Sequence, residues 1–279
     1  MAASLSDYTL GIGQGWCLDE ILREHPELAG RVLRHQTREA GTGQLQWTLP
    51  AGTLMVAGYE AVSGSAIDLR PHVTAGQLLW QVPAGRWRVV AVQAERVASS
   101  IDPMNPLSGA EYVRTFFGRW EDRNPGEAGR GLNFFFSDEL DFRLPRLIWS
   151  ERLADEFRAR KGYDLRPELA ALFVDIGPRT PKVRLDYNDV RVALSEENFF
   201  RPVFAWHEAR GMIYGCDHGG RGREVDEFGD YFRTQRWNQG PGSDQPNLSK
   251  DLVKAKIAAS IAHLYDRPRV WLEGYHSSG

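Results

Sequence analysis

Cysteine is scarce in this chain of 279 residues: Cys17 and Cys216 are the only two, far apart, and no CxxC pair occurs. That spacing excludes a zinc ribbon and a thioredoxin-like redox centre. No apolar run reaches the roughly 20 residues that cross a bilayer, and the opening MAASLSDYTL has no signal-peptide core. Excess positive charge is also missing. The formal net charge of -3 argues against electrostatically driven binding to nucleic acid or to an acidic membrane. Three catalytic or cofactor signatures are absent as well. There is no GxSxG elbow, no HxH or HExxH, and no GxGxxG behind a strand, the one Gly-rich opening, GIGQG, having another spacing. A serine hydrolase, a zinc protease and a dinucleotide fold therefore lose their markers.

What is present is an ordinary globular balance, 42% hydrophobic and 25% charged, at a length that suits one large α/β domain or two smaller ones. Aromatics are plentiful, with nine Trp, nine Tyr and thirteen Phe. Most belong to a core by the burial preference of large rings, but flat rings also face the C–H surfaces of pyranoses.

Hydrophobic patterning alternates between strand and helix. Residues 8–16 read as a strand opening into GIGQGW, 18–28 as a helix disturbed by Pro26, and 32–37 as a second strand, a β-α-β start. Over 45–97 the texture changes: LQWTL, TLMVAGYEAV, QLLWQV and RWRVVAVQAERV are β-rich, with PAG, SGS and PAGR as turns. This interval reads as an inserted antiparallel module. The α/β alternation then returns. Asn105 and Pro106 open a helix whose face carries Val113, Phe116, Phe117 and Trp120, and 132–136 form an apolar strand ending in Ser137-Asp138-Glu139. A helix over 150–160 stops at Gly162, and a longer one over 183–210 is kinked by Pro202. A strand over 212–216 ends in Asp217-His218, and the polar stretch 221–247 with PGSDQPN reads as an irregular loop. A helix through Val253, Ile257, Ile261 and Leu264 precedes a strand at 270–272 that runs into Glu273-Gly274-Tyr275-His276.

Strands that each end in polar residues predict an α/β fold, a (β/α) TIM-type barrel whose chemistry gathers at the C-terminal strand ends. Residues 1–40 form its first part, 41–100 the inserted β-rich module and 101–279 the continuation. The barrel is expected to be incomplete and truncated at its C-terminus, because the last strand has no helix behind it.

Glu139 and Glu273 each follow an apolar strand directly. Cleavage of a glycosidic bond needs two carboxyl groups, one to protonate the leaving oxygen and one to activate water or attack the anomeric carbon. Either glutamate could instead be a rim residue paired with arginine. Asp138 and Asp141 flank Glu139; the cluster could bind a hard cation such as calcium or raise the pKa of Glu139. Asp217, His218 and His276 stand at other strand ends, where such residues hydrogen-bond substrate or orient a carboxylate. Trp16, Trp237, Tyr275 and Trp271 are candidate sugar platforms, and Trp271, inside a strand, is assigned to the core.

The serial order of several segments resembles the α-L-rhamnosidases of glycoside hydrolase family 106. These are VPAGRWRVV followed by IDPMNP, then FFFSDELDF, FRARKGYDLRPELAAL, VRLDYNDVRVALSEENFFRPVFAWHEARGM and IAASIAHLYDRPRVWLEGYHSSG. The resemblance covers residues 8–279. It implies a (β/α) barrel with β-rich accessory domains, inverting hydrolysis of terminal α-L-rhamnose, and calcium in some members to bind the sugar. It places Glu139 and Glu273 as the catalytic pair at the ends of the fourth and sixth barrel strands, two strands apart, with the strand at Tyr8 as the second. The substrate-binding candidates beside them are Trp16, Asp138, Asp217, His218, Trp237, Tyr275 and His276. Two other readings stand: a non-catalytic carbohydrate-binding barrel, and a metal-dependent barrel hydrolase.

Overall fold

The computed structural model describes residues 3–7, 16–218, 226–245 and 252–274; at 3–7, 227, 245, 252–255 and 273–274 the description is of the main chain. In chain order the strands are β1 (Ala3–Asp7), β2 (Ala29–Thr48), β3 (Thr53–Glu60), β4 (Ala66–Asp68), β5 (Val73–Thr74), β6 (Gln77–Ile101), β7 (Leu132–Ser137), β8 (Ile148–Trp149), β9 (Ile213–Cys216), β10 (Gly240–Gln245) and β11 (Trp271–Gly274). The helices are α1 (Trp16–Glu24), α2 (Ser108–Tyr112), α3 (Arg119–Arg123), α4 (Leu153–Lys161), α5 (Thr180–Ser195), α6 (Arg201–Glu208), α7 (Tyr231–Gln235) and α8 (Leu252–Leu264). Two compact units result. One comprises Met1–Gly30, Ala98–Arg146 and Arg191–Gly279, the other Arg31–Val97 and Leu147–Val190.

The first unit is built on a five-stranded sheet in the order β1-β7-β9-β10-β11, parallel at every pairing. Strand alternation gives it two different faces. On one face Phe135, Tyr214 and Cys216 pack with Leu18 and Ile21 of α1, Tyr112 of α2 and Val203 of α6. Phe117 stands edge-on to Phe135, with ring centroids 5.0 Å apart. Each such buried ring contributes about 2 kcal/mol, so this face is where the helices are anchored. On the other face Phe134 and Phe136 meet the indole of Trp271, at centroid distances of 4.5 and 5.4 Å.

Several sequence expectations need correction here. The first described strand is Ala3–Asp7; the strand expected over 8–16 lies outside the described residues except for Trp16, which opens α1. The stretch 32–37 is no barrel strand: it belongs to β2, which runs antiparallel to β8. β1 therefore pairs directly with β7, with Asp7 opposite Ser137. The stretch 221–247 is not all irregular: its described part holds a 3-10 turn at Glu227–Gly229, α7 and β10. β10 separates β9 from β11, so the strands carrying Glu139 and Glu273 are three steps apart rather than two. Its composition, GPGSDQ, reads as a turn because it lacks side chains on the face that Trp271 covers. A Cβ on Gly215 would lie 2.5 Å from Trp271 Nε1, and one on Gly240 2.9 Å from the same ring. These glycines make room for the indole. A closed barrel is not seen among the described residues; the parallel sheet and its helices are.

The long helical stretch divides as expected from Pro202. α5 passes through a π turn at Glu196–Phe200 into α6. Proline has no N–H to donate and its ring crowds the carbonyl four residues back, and the wider turn relieves both. α1 likewise ends before Pro26, which begins a 3-10 turn at Pro26–Leu28.

The second unit is an antiparallel sheet in the order β4-β3-β6-β2-β8, with β5 paired to β6. The interval 45–97 is strand and turn, its one helical feature a 3-10 turn at Arg70–His72. Leu78, Trp80 and Val82 alternate inward with exposed neighbours, and Trp80 meets Trp87 edge-on at 5.4 Å. The PAGR turn is a correction, since residues 83–86 continue within β6. Residues 147–190 add α4, which closes on Gly162 at φ +77°, and β8. The Tyr187 hydroxyl accepts from Ile148 N at 2.9 Å and donates to Ile148 O at 2.7 Å. Among the described residues no helix is long and apolar enough to cross a membrane.

Gly215→Ala is expected to cost about 1–3 kcal/mol, as overpacking does, read from urea unfolding. In a Trp271→Ala background the same substitution is expected to cost less than about 0.5 kcal/mol. Additive losses would show that the two positions do not compete for one space.

Candidate active site

Because every pairing in the first sheet is parallel, all its strands end on one edge. β7 delivers Ser137, Asp138 and Glu139 there, β9 Asp217 and His218, and β10 Ser243 and Asp244; Glu273 stands opposite Asp244 in the β10–β11 register. The edge is rich in buried carboxylates: Asp138, Asp217 and Asp244 are 7%, 1% and 2% exposed. Glu139 is half-buried. Neither Asp138 nor Asp217 has an ion-pair partner among the described residues, in contrast to Glu196, which meets Arg233 and Arg236.

Asp217 is the most perturbed of them. Its Oδ1 accepts the Glu139 main-chain N–H at 2.7 Å, and its Oδ2 is buried with no hydrogen-bond partner among the described residues. Burial pushes its pKa up to about 8, the Glu139 N–H opposes that rise, and the charges of Asp138, Asp244 and Glu139 add to it. The acid is therefore neutral at pH 7. Glu139 itself adopts φ +47°, a conformation that costs a non-glycine residue roughly 1–2 kcal/mol. Such strain persists where surrounding contacts fix the turn, and it is common at functional sites.

α7 closes the same edge. The Tyr231 hydroxyl lies 2.8 Å from Gly242 O and 3.1 Å from Asp217 O, and Gln235 Nε2 donates to Cys216 O at 2.9 Å. These bonds serve carbonyls at strand ends that have run out of ladder partners. Asp230 caps the helix by accepting from Arg233 N at 3.1 Å.

The structure gathers only some of the candidate residues. Asp138, Glu139 and Asp217 meet at the edge, and Glu273 is placed on it by its main chain. Tyr275 and His276 lie outside the described residues. His218 turns away: at φ +55° its ring is fully buried, with Nδ1 3.3 Å from Cys216 Sγ and Nε2 2.9 Å from Thr234 Oγ1. Phe200, Phe228 and Tyr231 surround it, and burial lowers its pKa to about 3, so the imidazole is neutral. Trp237 lies between α7 and β10, where its Nε1 donates to Glu196 Oε1 at 3.0 Å. Trp16 opens α1, 47% exposed, with the Arg119 guanidinium 5.3 Å over its ring. Asp141 is half-buried, accepts from Arg143 N at 2.8 Å, and is raised by burial.

Asp244 was missed because its strand reads as a loop. Tyr231 and Gln235 were missed because a five-residue helix leaves little periodicity. The available signal was the Ser-Asp behind Gly-Pro-Gly, which repeats the strand-end acid of β7 and β9. Trp271 lies on the open face rather than among the helices, its Nε1 buried without a hydrogen-bond partner among the described residues.

The folded pKa of Asp217 is above its unfolded value of about 4. Its contribution to stability is full below pH 4 and is lost as pH climbs through about 8. The stability of Asp217→Asn relative to wild type is therefore expected to rise steadily across that window, measured as urea midpoints. A difference independent of pH would show that Asp217 is already ionised in the fold.

Residues 52–279 match the sequence model of glycoside hydrolase family 106, described as alpha-L-rhamnosidase. Among solved structures, the rhamnosidase from Novosphingobium sp. PP1Y aligns with a TM-score of 0.55 at 22% identity, over 75% of this chain and 22% of that one. This chain thus spans about a fifth of that rhamnosidase, and the likeness is one of fold. No curated protein matches. With more than three quarters of its length under the family match, the chain belongs to glycoside hydrolase family 106, the alpha-L-rhamnosidase family.

Proposed function

We propose that this chain carries the catalytic edge of a glycosidase that removes a terminal α-L-rhamnoside-like pyranoside, with Glu139 and Glu273 as its acid and base. The observation that carries the reading is the carboxylate-rich edge formed by the ends of parallel strands, beside an open face floored by Phe134, Phe136 and Trp271. A pyranoside has an apolar C–H face and a polar edge, and aromatic rings beside carboxylates suit that combination. The five strands are consecutive strands of a (β/α) barrel in this reading, with the chemistry at their C-terminal ends.

In the reaction, Glu139 gives its proton to the glycosidic oxygen as the bond to the anomeric carbon breaks. Glu273 takes a proton from the water whose oxygen attacks that carbon from the other side, and the sugar leaves with inverted configuration. Inversion needs carboxyl groups roughly 6.5–9.5 Å apart, and retention about 5–5.5 Å. Glutamates three strands apart favour the wider spacing. Calcium is proposed from the family resemblance alone. The edge has oxygen donors of a suitable kind, but among the described residues no three His, Cys, Asp or Glu side chains are grouped to hold a metal. The remaining candidates are placed by this reading as sugar contacts (Asp138, Tyr275, His276), as an outer platform (Trp16), and as supports of the site (Asp217, His218, Trp237).

The test is kinetic, in the full-length protein that carries this chain, on aryl α-L-rhamnosides. Glu139→Gln is expected to cut turnover about 100-fold or more on poor leaving groups and far less on activated ones, which need little protonation. Glu273→Gln is expected to depress both alike. Proton NMR of the first-formed sugar should show the inverted anomer. Near-wild-type turnover in either variant on poor leaving groups would remove that residue from the mechanism, and an inactive wild type with sugar affinity would favour a binding protein.

A further inference from the structure

The geometry points to Asp217 as the positioning residue of Glu139: its carboxyl oxygen Oδ1 clamps the main-chain turn on which the acid is carried. The inference deepens the glycosidase reading and rests on it for the role of Glu139. Four observations converge. Glu139 is a non-glycine residue at φ +47°, so the turn must be fixed from outside. Its N–H donates to Asp217 Oδ1 at 2.7 Å, across the strand pairing from β7 to β9. Asp217 is itself immobilised: it is 1% exposed, its carbonyl lies 3.1 Å from the Tyr231 hydroxyl, and the next residue, His218, is locked between Cys216 and Thr234. The other oxygen of its carboxyl is buried and has no hydrogen-bond partner among the described residues. An interior chosen for stability would not keep that oxygen, since an unsatisfied buried acceptor costs free energy. Among the described residues, the charged groups facing the carboxyl are Asp138 and Glu139 from β7 and Asp244 from β10. None of them is a cation that would explain a carboxylate there.

A residue that positions another through one acceptor can be tested by keeping or removing that acceptor. Asp217→Asn keeps an oxygen for the Glu139 N–H and Asp217→Ala removes it. Two readouts are taken in the full-length protein: hydrogen–deuterium exchange at the Glu139 amide, and steady-state kinetics on an aryl α-L-rhamnoside with a poor leaving group. In Asp217→Ala, exchange at Glu139 is expected to speed up by up to roughly tenfold, the worth of a lost hydrogen bond. Its kcat should fall about 100-fold, as for a misplaced catalytic group whose positioning bond is a neutral one, with KM within about twofold. Asp217→Asn is expected to restore slow exchange and most of the lost kcat. Should Asp217→Ala fail to fold, Asp217→Ser, whose hydroxyl stops short of the amide, makes the same comparison. Unchanged exchange at Glu139, or faster exchange with unchanged kcat, overturns the proposal. So does an Asn variant as impaired as Ala, which would mean that Asp217 moves a proton itself. A wild type inactive on every aryl glycoside defeats the glycosidase reading instead, and the exchange arm then decides the clamp alone.

Discussion

The indole of Trp271 can lie flat on the sheet only where its neighbours have no side chains. It touches β7 through Phe134 and Phe136, β9 through Gly215 and β10 through Gly240. One residue of the last described strand thus packs across the three strands before it. A large ring buries the area of several aliphatic side chains, which lets glycine-rich strands stay in a buried sheet despite their poor intrinsic preference for it. The strand ends then stop one step above an aromatic floor, and the acids stand directly on it: Asp244 and Glu273 follow Gly242 and Trp271 by two residues in the shared register.

The first unit treats buried carboxylates in two ways. Glu196, in the π turn, is 3% exposed, yet Arg233 and Arg236 each approach it to 2.6 Å and Trp237 donates a further bond. Charge, hydrogen bonds and burial are all matched, as a structural ion pair requires. Asp217 is buried with no cation beside it among the described residues, and burial raises its pKa to about 8. The π turn and α7 join the two regions. Glu196 holds Arg233 of α7, and the same helix supplies Tyr231 and Gln235 to the carbonyls of Gly242, Asp217 and Cys216. A compensated acid outside the edge therefore helps to hold the uncompensated ones within it.

Much of this was legible from the residues alone. Alternation over 45–97 marked an antiparallel sheet, because each inward residue there is buried by its own sheet partners. The apolar run 132–136 marked a strand of a parallel sheet, and the acids just behind it marked its functional end. Gly162 and Pro202 acted where they stand, since left-handed backbone and a missing N–H are properties of the residue itself. The family resemblance ran through the same segments.

Other features depended on neighbours that the local sequence does not contain. β10 carries no hydrophobic period, because what buries it is the ring of a residue some thirty positions later. His218 looked like a rim residue beside Asp217, but φ +55° sends its ring among Phe200, Phe228 and Tyr231. Trp237 lay close in sequence to the strand-end acids, yet it stands before β10 and not after it, and its indole N–H is taken by Glu196. The chain by itself determined which residues are apolar, which are acidic and where regular backbone must stop. Only the tertiary structure decided which acids share one edge, because that depends on strand order and on packing between segments far apart in the chain.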